Sequence, residues 1–164
     1  FYFIEMNTRL QVEHTVSEMI TDYDLVKLQI EIAAGEKLKI NQKDISVRGH
    51  AIQCRINAEH PQTFVPSPGK ITQWGKPGGI GVRVDSHVYD GCVISPYYDA
   101  LIAKICTHGI DREEALARMS FALEEFFVEG IETNKDLQEI ILNEENFRNA
   151  NLSINYLQNI LDIN

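Results

Sequence analysis

An α+β fold, a mainly antiparallel sheet with helices packed on it, is the class this sequence predicts, on three observations. Residues Gly49 to Ala58 alternate strictly, with Ile52, Cys54 and Ile56 on one face and Gln53, Arg55 and Asn57 on the other, the period of a half-buried strand. Between Pro61 and Thr107, short apolar runs are separated by turn residues, as in a series of short strands. From Leu116 the apolar positions Met119, Leu123, Phe126 and Phe127 recur at helical spacing.

Taken in order, Phe1 to Gln11 reads as a strand rich in aromatic and branched residues. It opens as if inside a core strand, so the chain is expected to continue upstream of Phe1. Thr15 and Glu18 have capping-box spacing for a short helical turn. Asp24 can cap a longer helix through Leu25, Leu28 and Ile32, which Gly35 would end. Pro61 to Gly69 is turn-rich, strands are expected around Ile71 to Trp74 and Val82 to Val84 with Pro77-Gly78-Gly79 joining them, Asp90-Gly91 signals a hairpin, and Leu101 to Thr107 is a further strand. Asp111 is an N-cap for a long amphipathic helix predicted to end at Gly130, its Phe126-Phe127 pair facing the core. Thr133 and Ser153 can cap two more helices.

The 164 residues suffice for a real core, and 44% hydrophobic with 24% charged residues is a globular composition. The net charge of -9 opposes binding to nucleic acid or anionic lipid, so neither is an expected partner. Cys54, Cys92 and Cys106 are odd in number and lack C-x-x-C spacing, which suggests neither a disulfide framework nor a zinc site. With no long apolar run and no basic leader, a cytoplasmic protein is expected.

The chemistry concentrates in Glu5-Met6-Asn7-Thr8-Arg9-Leu10-Gln11-Val12-Glu13-His14. If extended, this segment places Glu5, Asn7, Arg9, Gln11 and Glu13 on one face. A carboxylate and an amide oxygen two residues apart suit a hard cation such as Mg²⁺. The planar fork of Arg9 matches a small planar oxyanion, a carboxylate or bicarbonate, and Gln11 adds an amide donor. Glu13 could act as a general base, although spacing alone does not assign that role. The plain alternative is a solvated strand face of salt-linked polar residues.

The same ten residues resemble the signature of the biotin carboxylases, members of the ATP-grasp superfamily. The resemblance continues through Arg48-Gly49-His50-Ala51, Cys54-Arg55-Ile56-Asn57-Ala58-Glu59, Pro66-Ser67-Pro68-Gly69-Lys70-Ile71, Pro96-Tyr97-Tyr98-Asp99 and Gly130-Ile131-Glu132-Thr133-Asn134. It implies that residues 1–47 end an ATP-grasp domain and residues 48–164 form a biotin carboxylase C-terminal domain. Glu5 and Asn7 would hold the Mg²⁺, or Mn²⁺, that bridges the phosphates of ATP. Arg9, Gln11 and the backbone of Val12 would bind bicarbonate, and Glu13 would deprotonate it. Arg55 would contact bicarbonate and the biotin ureido group and stabilise the biotin enolate. Bicarbonate would attack ATP to give carboxyphosphate, whose CO₂ is captured by N1 of biotin.

The resemblance further implies a biotin carboxyl carrier protein and carboxyltransferase subunits as partners, a homodimer in the full-length protein, and the first half-reaction of acetyl-CoA carboxylase in fatty acid synthesis. Arg83 falls in the region of subunit contact, with Ile80 where relatives often carry an aromatic. The glycine-rich lid, the ATP-binding lysines and another metal-binding glutamate would lie upstream of the signature, so this chain alone is expected to hydrolyse ATP poorly. By the resemblance Asp99, after two tyrosines, is expected to be a buried hydrogen-bonding residue near Arg55, with a simple turn residue as the alternative. A fused pyruvate or propionyl-CoA carboxylase is an alternative parent. A carbamoyl phosphate synthetase shares the Glu-x-Asn metal strand but is not expected to keep Arg9, Gln11, Glu13 and Arg55 together. A non-catalytic dimerisation or carrier-binding domain is the alternative of another class. Gly69-Lys70 lacks the phosphate-loop pattern, and His50, His60, His87 and His108 lack ligand spacing.

Overall fold

The computed structural model describes residues 2–161. In chain order the elements are α1 (His14–Thr21), α2 (Leu25–Ala33), β1 (His50–Asn57), β2 (Gly69–Lys70), β3 (Gln73–Gly75), β4 (Val82–Ser86), β5 (Val93–Ile94), β6 (Leu101–Gly109), α3 (Arg112–Glu125), β7 (Phe127–Glu129), α4 (Lys135–Asn143), α5 (Glu145–Arg148) and α6 (Tyr156–Leu161). A 3-10 turn lies at Gln42–Asp44. Among these residues no helix is long and apolar enough to cross a membrane.

The alternation along β1 has its expected consequence. β1, β6 and β4 form an antiparallel sheet in that order, and two short ribbons pair β2 with β5 and β3 with β7. Ile52, Cys54 and Ile56 point to a buried face with Ala103 and Ile105, against Ala115, Leu116, Met119 and Leu123 of α3. Each such large apolar side chain, fully buried, contributes roughly 1.5–3 kcal/mol. α3 starts where predicted, with the Asp111 carboxylate accepting from Glu114 N at 2.9 Å. Asp24 caps α2 in the same way, through Lys27 N at 2.8 Å.

Several expectations are corrected. Phe1 lies outside the described residues, and the rest of the segment to Glu13 forms no strand and pairs with none among the described residues; Tyr2, Phe3 and Ile4 are exposed. Thr15 is not a cap: Glu13 holds the N-cap position, and Thr15 is buried in the first turn. Ile71 separates two strands of different ribbons, and β3 pairs with β7 and β4 with β6, so Pro77-Gly78-Gly79 joins no adjacent pair. Asp90-Gly91 forms a turn into β5, whose partner is β2. α3 stops at Glu125. Phe126 is its C-cap, fully buried and edge-on to Trp74 with centroids 5.1 Å apart, while Phe127 begins β7 and is 49% exposed. Gly130 follows that strand with φ +96°, where a Cβ would collide with the Lys70 carbonyl.

Candidate active site

The outward face of the sheet carries two rows of side chains. Across one, register sets Arg55 opposite Lys104 and Lys104 opposite Asp85; across the next, Gln53 opposite Cys106 and Cys106 opposite Arg83. Helix α1 and the residues leading into it lie on these rows. Thr15 Oγ1 donates to Gln53 Oε1 at 2.6 Å and sits 3.1 Å from Cys106 Sγ, and the buried Glu18 accepts from Arg83 at 2.6 Å. At i and i+3 these two residues share a helix face, so the spacing that suggests a cap instead docks α1 on the sheet.

On the first row, Arg55 Nη2 donates to Glu13 Oε2 at 3.0 Å, with both side chains about half exposed. Lys104 Nζ donates to the Val12 carbonyl at 3.2 Å and pairs with Asp85 at 3.4 Å. Arg83 clamps the same Asp85 carboxylate with two bonds, at 2.8 and 3.0 Å. Those bonds, outweighing the cost of burial and joined by Glu18, raise the Arg83 pKa. Burial alone would raise the Asp85 carboxyl, but the hydrogen bonds and charge of Arg83, with Lys104, hold it below the ordinary range. Burial pushes the Cys54 thiol up to about 12 and raises Cys106 as well, so neither is poised as a nucleophile.

Immediately after Arg55 the β1–β6 register shifts between Ile56 and Asn57. Asn134, 5% exposed, closes this irregularity: its Oδ1 accepts from Asn57 N at 2.9 Å, and its Nδ2 donates to the carbonyl of Arg55 at 3.2 Å and to Glu59 at 3.3 Å. The backbone that carries Arg55 is thereby fixed from behind.

Arg9, Gln11 and Glu13 line one open cleft of about 600 Å³, whose other wall is apolar and includes Leu25, Leu28 and Ile32. Arg9 is exposed, with Nη1 3.4 Å from the Leu10 carbonyl. The Gln11 carbonyl meets His14 Nδ1 at 2.6 Å. Glu5 and Asn7 touch each other, Asn7 Nδ2 lying 3.3 Å from Glu5 Oε1, but do not line this cleft. Rotating the Asn7 amide presents its oxygen beside the Glu5 carboxylate, two oxygen donors that fit a Mg²⁺ completed by water and phosphate. Among the described residues no three His, Cys, Asp or Glu side chains cluster as a metal site.

One expectation changes at the site. Asp99 is an exposed turn residue, accepting from Leu101 N at 2.8 Å, a local bond rather than one to Arg55. The guanidinium of Arg83, in the region expected to make a subunit contact, bonds to Glu18 and Asp85 within the chain while its side chain stays 37% exposed. Sequence reasoning missed Lys104 and Asp85. The signal for Lys104 was a lone lysine within the apolar run Leu101-Ile102-Ala103-Lys104-Ile105-Cys106.

Comparison with known proteins accords with this geometry. Residues 53–159 match the family model of the biotin carboxylase C-terminal domain, and residues 1–41 match that of the carbamoyl-phosphate synthase L chain ATP binding domain. The biotin carboxylase of Haemophilus influenzae is 56% identical over 164 residues, 100% of this chain and 37% of that protein. A pyruvate carboxylase subunit of Methanothermobacter thermautotrophicus is 52% identical over 158 residues, 96% of this chain and 32% of that protein. Among solved structures, the biotin carboxylase domain dimer of Hydrogenobacter thermophilus 2-oxoglutarate carboxylase, in complex with MgADP, ADP and bicarbonate, superposes with a TM-score of 0.94. Its sequence identity is 46%, over 99% of this chain and 37% of that one. The chain thus spans about a third of the length of these relatives, and it belongs to the biotin carboxylase family.

Proposed function

We propose that this chain supplies the bicarbonate and biotin side of a biotin carboxylase, residues 1–47 ending an ATP-grasp domain and residues 48–164 forming the C-terminal domain. The observation that carries the reading is the 3.0 Å contact between Glu13 and Arg55, at the edge of a cleft that Arg9 and Gln11 also line. Arg9, Gln11 and Glu13 line that cleft and Arg55 bonds to Glu13, a set of a carboxylate base, two guanidinium groups and an amide suited to deprotonating a small oxyanion.

Arg9, Gln11 and the backbone of Val12 bind bicarbonate, and Glu13 takes its proton. The oxyanion so formed attacks the γ-phosphate of ATP, giving carboxyphosphate and ADP; carboxyphosphate breaks down to CO₂ and inorganic phosphate, the phosphate takes the N1 proton of biotin, and N1 bonds to the CO₂. Protonation of Glu13 weakens its hold on Arg55, freeing that guanidinium for the negative charge that builds on the ureido oxygen. Mg²⁺ or Mn²⁺ at Glu5 and Asn7 supplies charge neutralisation for the phosphates of ATP when bound. Biotin arrives on a carrier protein, carboxyltransferase subunits take the product onward, and the full-length enzyme is a cytoplasmic homodimer. Acetyl-CoA, for fatty acid synthesis, is the preferred final acceptor; a keto acid is the second reading, favoured by the 52% identity to a protein of pyruvate carboxylase.

The test is bicarbonate-dependent ATP hydrolysis with Mg²⁺ and free biotin, comparing this chain alone with the chain completed by the remaining length of a biotin carboxylase. Turnover in the completed protein only, abolished by Arg9→Ala, is the expected result. A completed protein without biotin-stimulated turnover would replace this reading with a non-catalytic dimerisation or carrier-binding domain.

A further inference from the structure

Lys104 stands in the middle strand of the sheet with its side chain only 13% exposed. An ammonium group so placed costs free energy unless fully partnered. Asp85 is one partner, but Arg83 already holds that carboxylate with two hydrogen bonds. The bond Lys104 makes that Arg83 does not duplicate is to the Val12 carbonyl, 92 residues away in sequence.

That carbonyl shares a rigid peptide plane with the N–H of Glu13. Fixing the oxygen fixes the plane from which the Glu13 backbone departs. Arg55, directly opposite Lys104 across the β1–β6 ladder, holds the other end of the same residue through its carboxylate. Neighbouring cations on adjacent strands therefore grip the backbone before Glu13 and its side chain. Asp85 and Glu13 offset the repulsion between the two cations.

We propose that Lys104 is a positioning residue: its ammonium on the Val12 carbonyl sets the Val12–Glu13 peptide and so aims the Glu13 carboxylate at Arg55 and the bound anion. This rests on the reading of Glu13 as the base. Because Arg83 still neutralises Asp85 when the lysine is gone, Lys104→Met is expected to fold.

The experiment compares Lys104→Met, Lys104→Gln, Lys104→Arg and Glu13→Gln in a biotin carboxylase containing this chain, with thermal unfolding run in parallel. Amide NMR resonances of Val12 and Glu13 are followed in the chain itself. Lys104→Met and Lys104→Gln should lower kcat for bicarbonate-dependent ATP cleavage about 10- to 100-fold, the scale of a displaced catalytic group, with KM for ATP unchanged. The Val12 and Glu13 amides should shift, and Lys104→Arg should recover part of kcat. Folded Met or Gln variants with wild-type kcat would overturn the proposal, as would lost kcat with those amides unmoved, which would mark a merely structural lysine. If Lys104→Met does not fold, Lys104→Gln decides alone, since it keeps a polar group of shorter reach. Should Glu13→Gln leave turnover intact, the underlying assignment of the base fails instead, and the two failures are told apart.

Discussion

The two faces of the β1–β6–β4 sheet come from the same strands by the same alternation, yet one is built of Ile52, Cys54, Ile56 and Ile105, and the other of Gln53, Arg55, Lys104, Arg83 and Asp85. The first is sealed by α3 and holds the domain together. The second is covered only in part by α1, and its charges reach the residues proposed to do chemistry. A one-residue slip in β1 would exchange the two sets, so the register that buries the core also presents Arg55. Stability and function are thus assigned to opposite sides of one sheet, and substitutions on each should separate them.

The largest effect is expected on the α3 side. Ile105 is fully buried, and Ile105→Ala should destabilise the chain by about 2–5 kcal/mol, read by urea denaturation. A loss below about 1 kcal/mol would mean that this face is not the core. On the other side, Arg55→Ala should reduce turnover of the completed enzyme by about 10²- to 10³-fold. It should change stability by no more than about 1 kcal/mol, because the Glu13–Arg55 pair is half exposed. Equal losses of turnover and stability would erase the distinction between the faces.

Asn134 is where the two sides meet, since its amide spans from the C-terminal end of β1 to the carbonyl of Arg55. Asn134→Ala leaves the Asn57 N–H without its acceptor and should cost about 1–3 kcal/mol in the same denaturation assay. It should also lower turnover, whereas Ile105→Ala, measured well below its melting temperature, should not.

How much of this was legible in the sequence depends on how far each determinant reaches along the chain. Asp24 and Asp111 act on residues three positions away, and both caps were readable, as was the alternation of β1. The end of α3 was not. Phe126 and Phe127 continue the helical spacing of apolar residues, while the pairing of β7 with β3, which sets Val128 opposite Trp74, decides where the chain turns extended. Thr15 and Glu18 likewise fit a local cap, and partners across the sheet overrode it. At the site, the residue types pointed to a base, a cation and an oxyanion clamp, but the contact between Glu13 and Arg55 joins positions 42 apart, and that between Lys104 and Val12 joins positions 92 apart. No periodicity carries such information. Family resemblance brought Arg55 to the signature; nothing brought Lys104.

The smallest predicted effect lies within the charged row and takes its sign from Asp85. Arg83 and Lys104 hold the folded carboxyl below its unfolded value, so the folded protein binds fewer protons there than the unfolded chain. The resulting stabilisation is fully present above about pH 4, near the unfolded carboxyl's own value, and is lost as pH falls through the lower folded value. Asp85→Asn removes the titrating group while keeping its size. Wild type should therefore be the more stable at pH 7 and pH 5, with the gap closing in melts below about pH 4. A gap that stayed constant across that window would mean that Asp85 contributes through packing alone, and the polar face would then be held to α1 mainly by Thr15 and the Glu18–Arg83 pair.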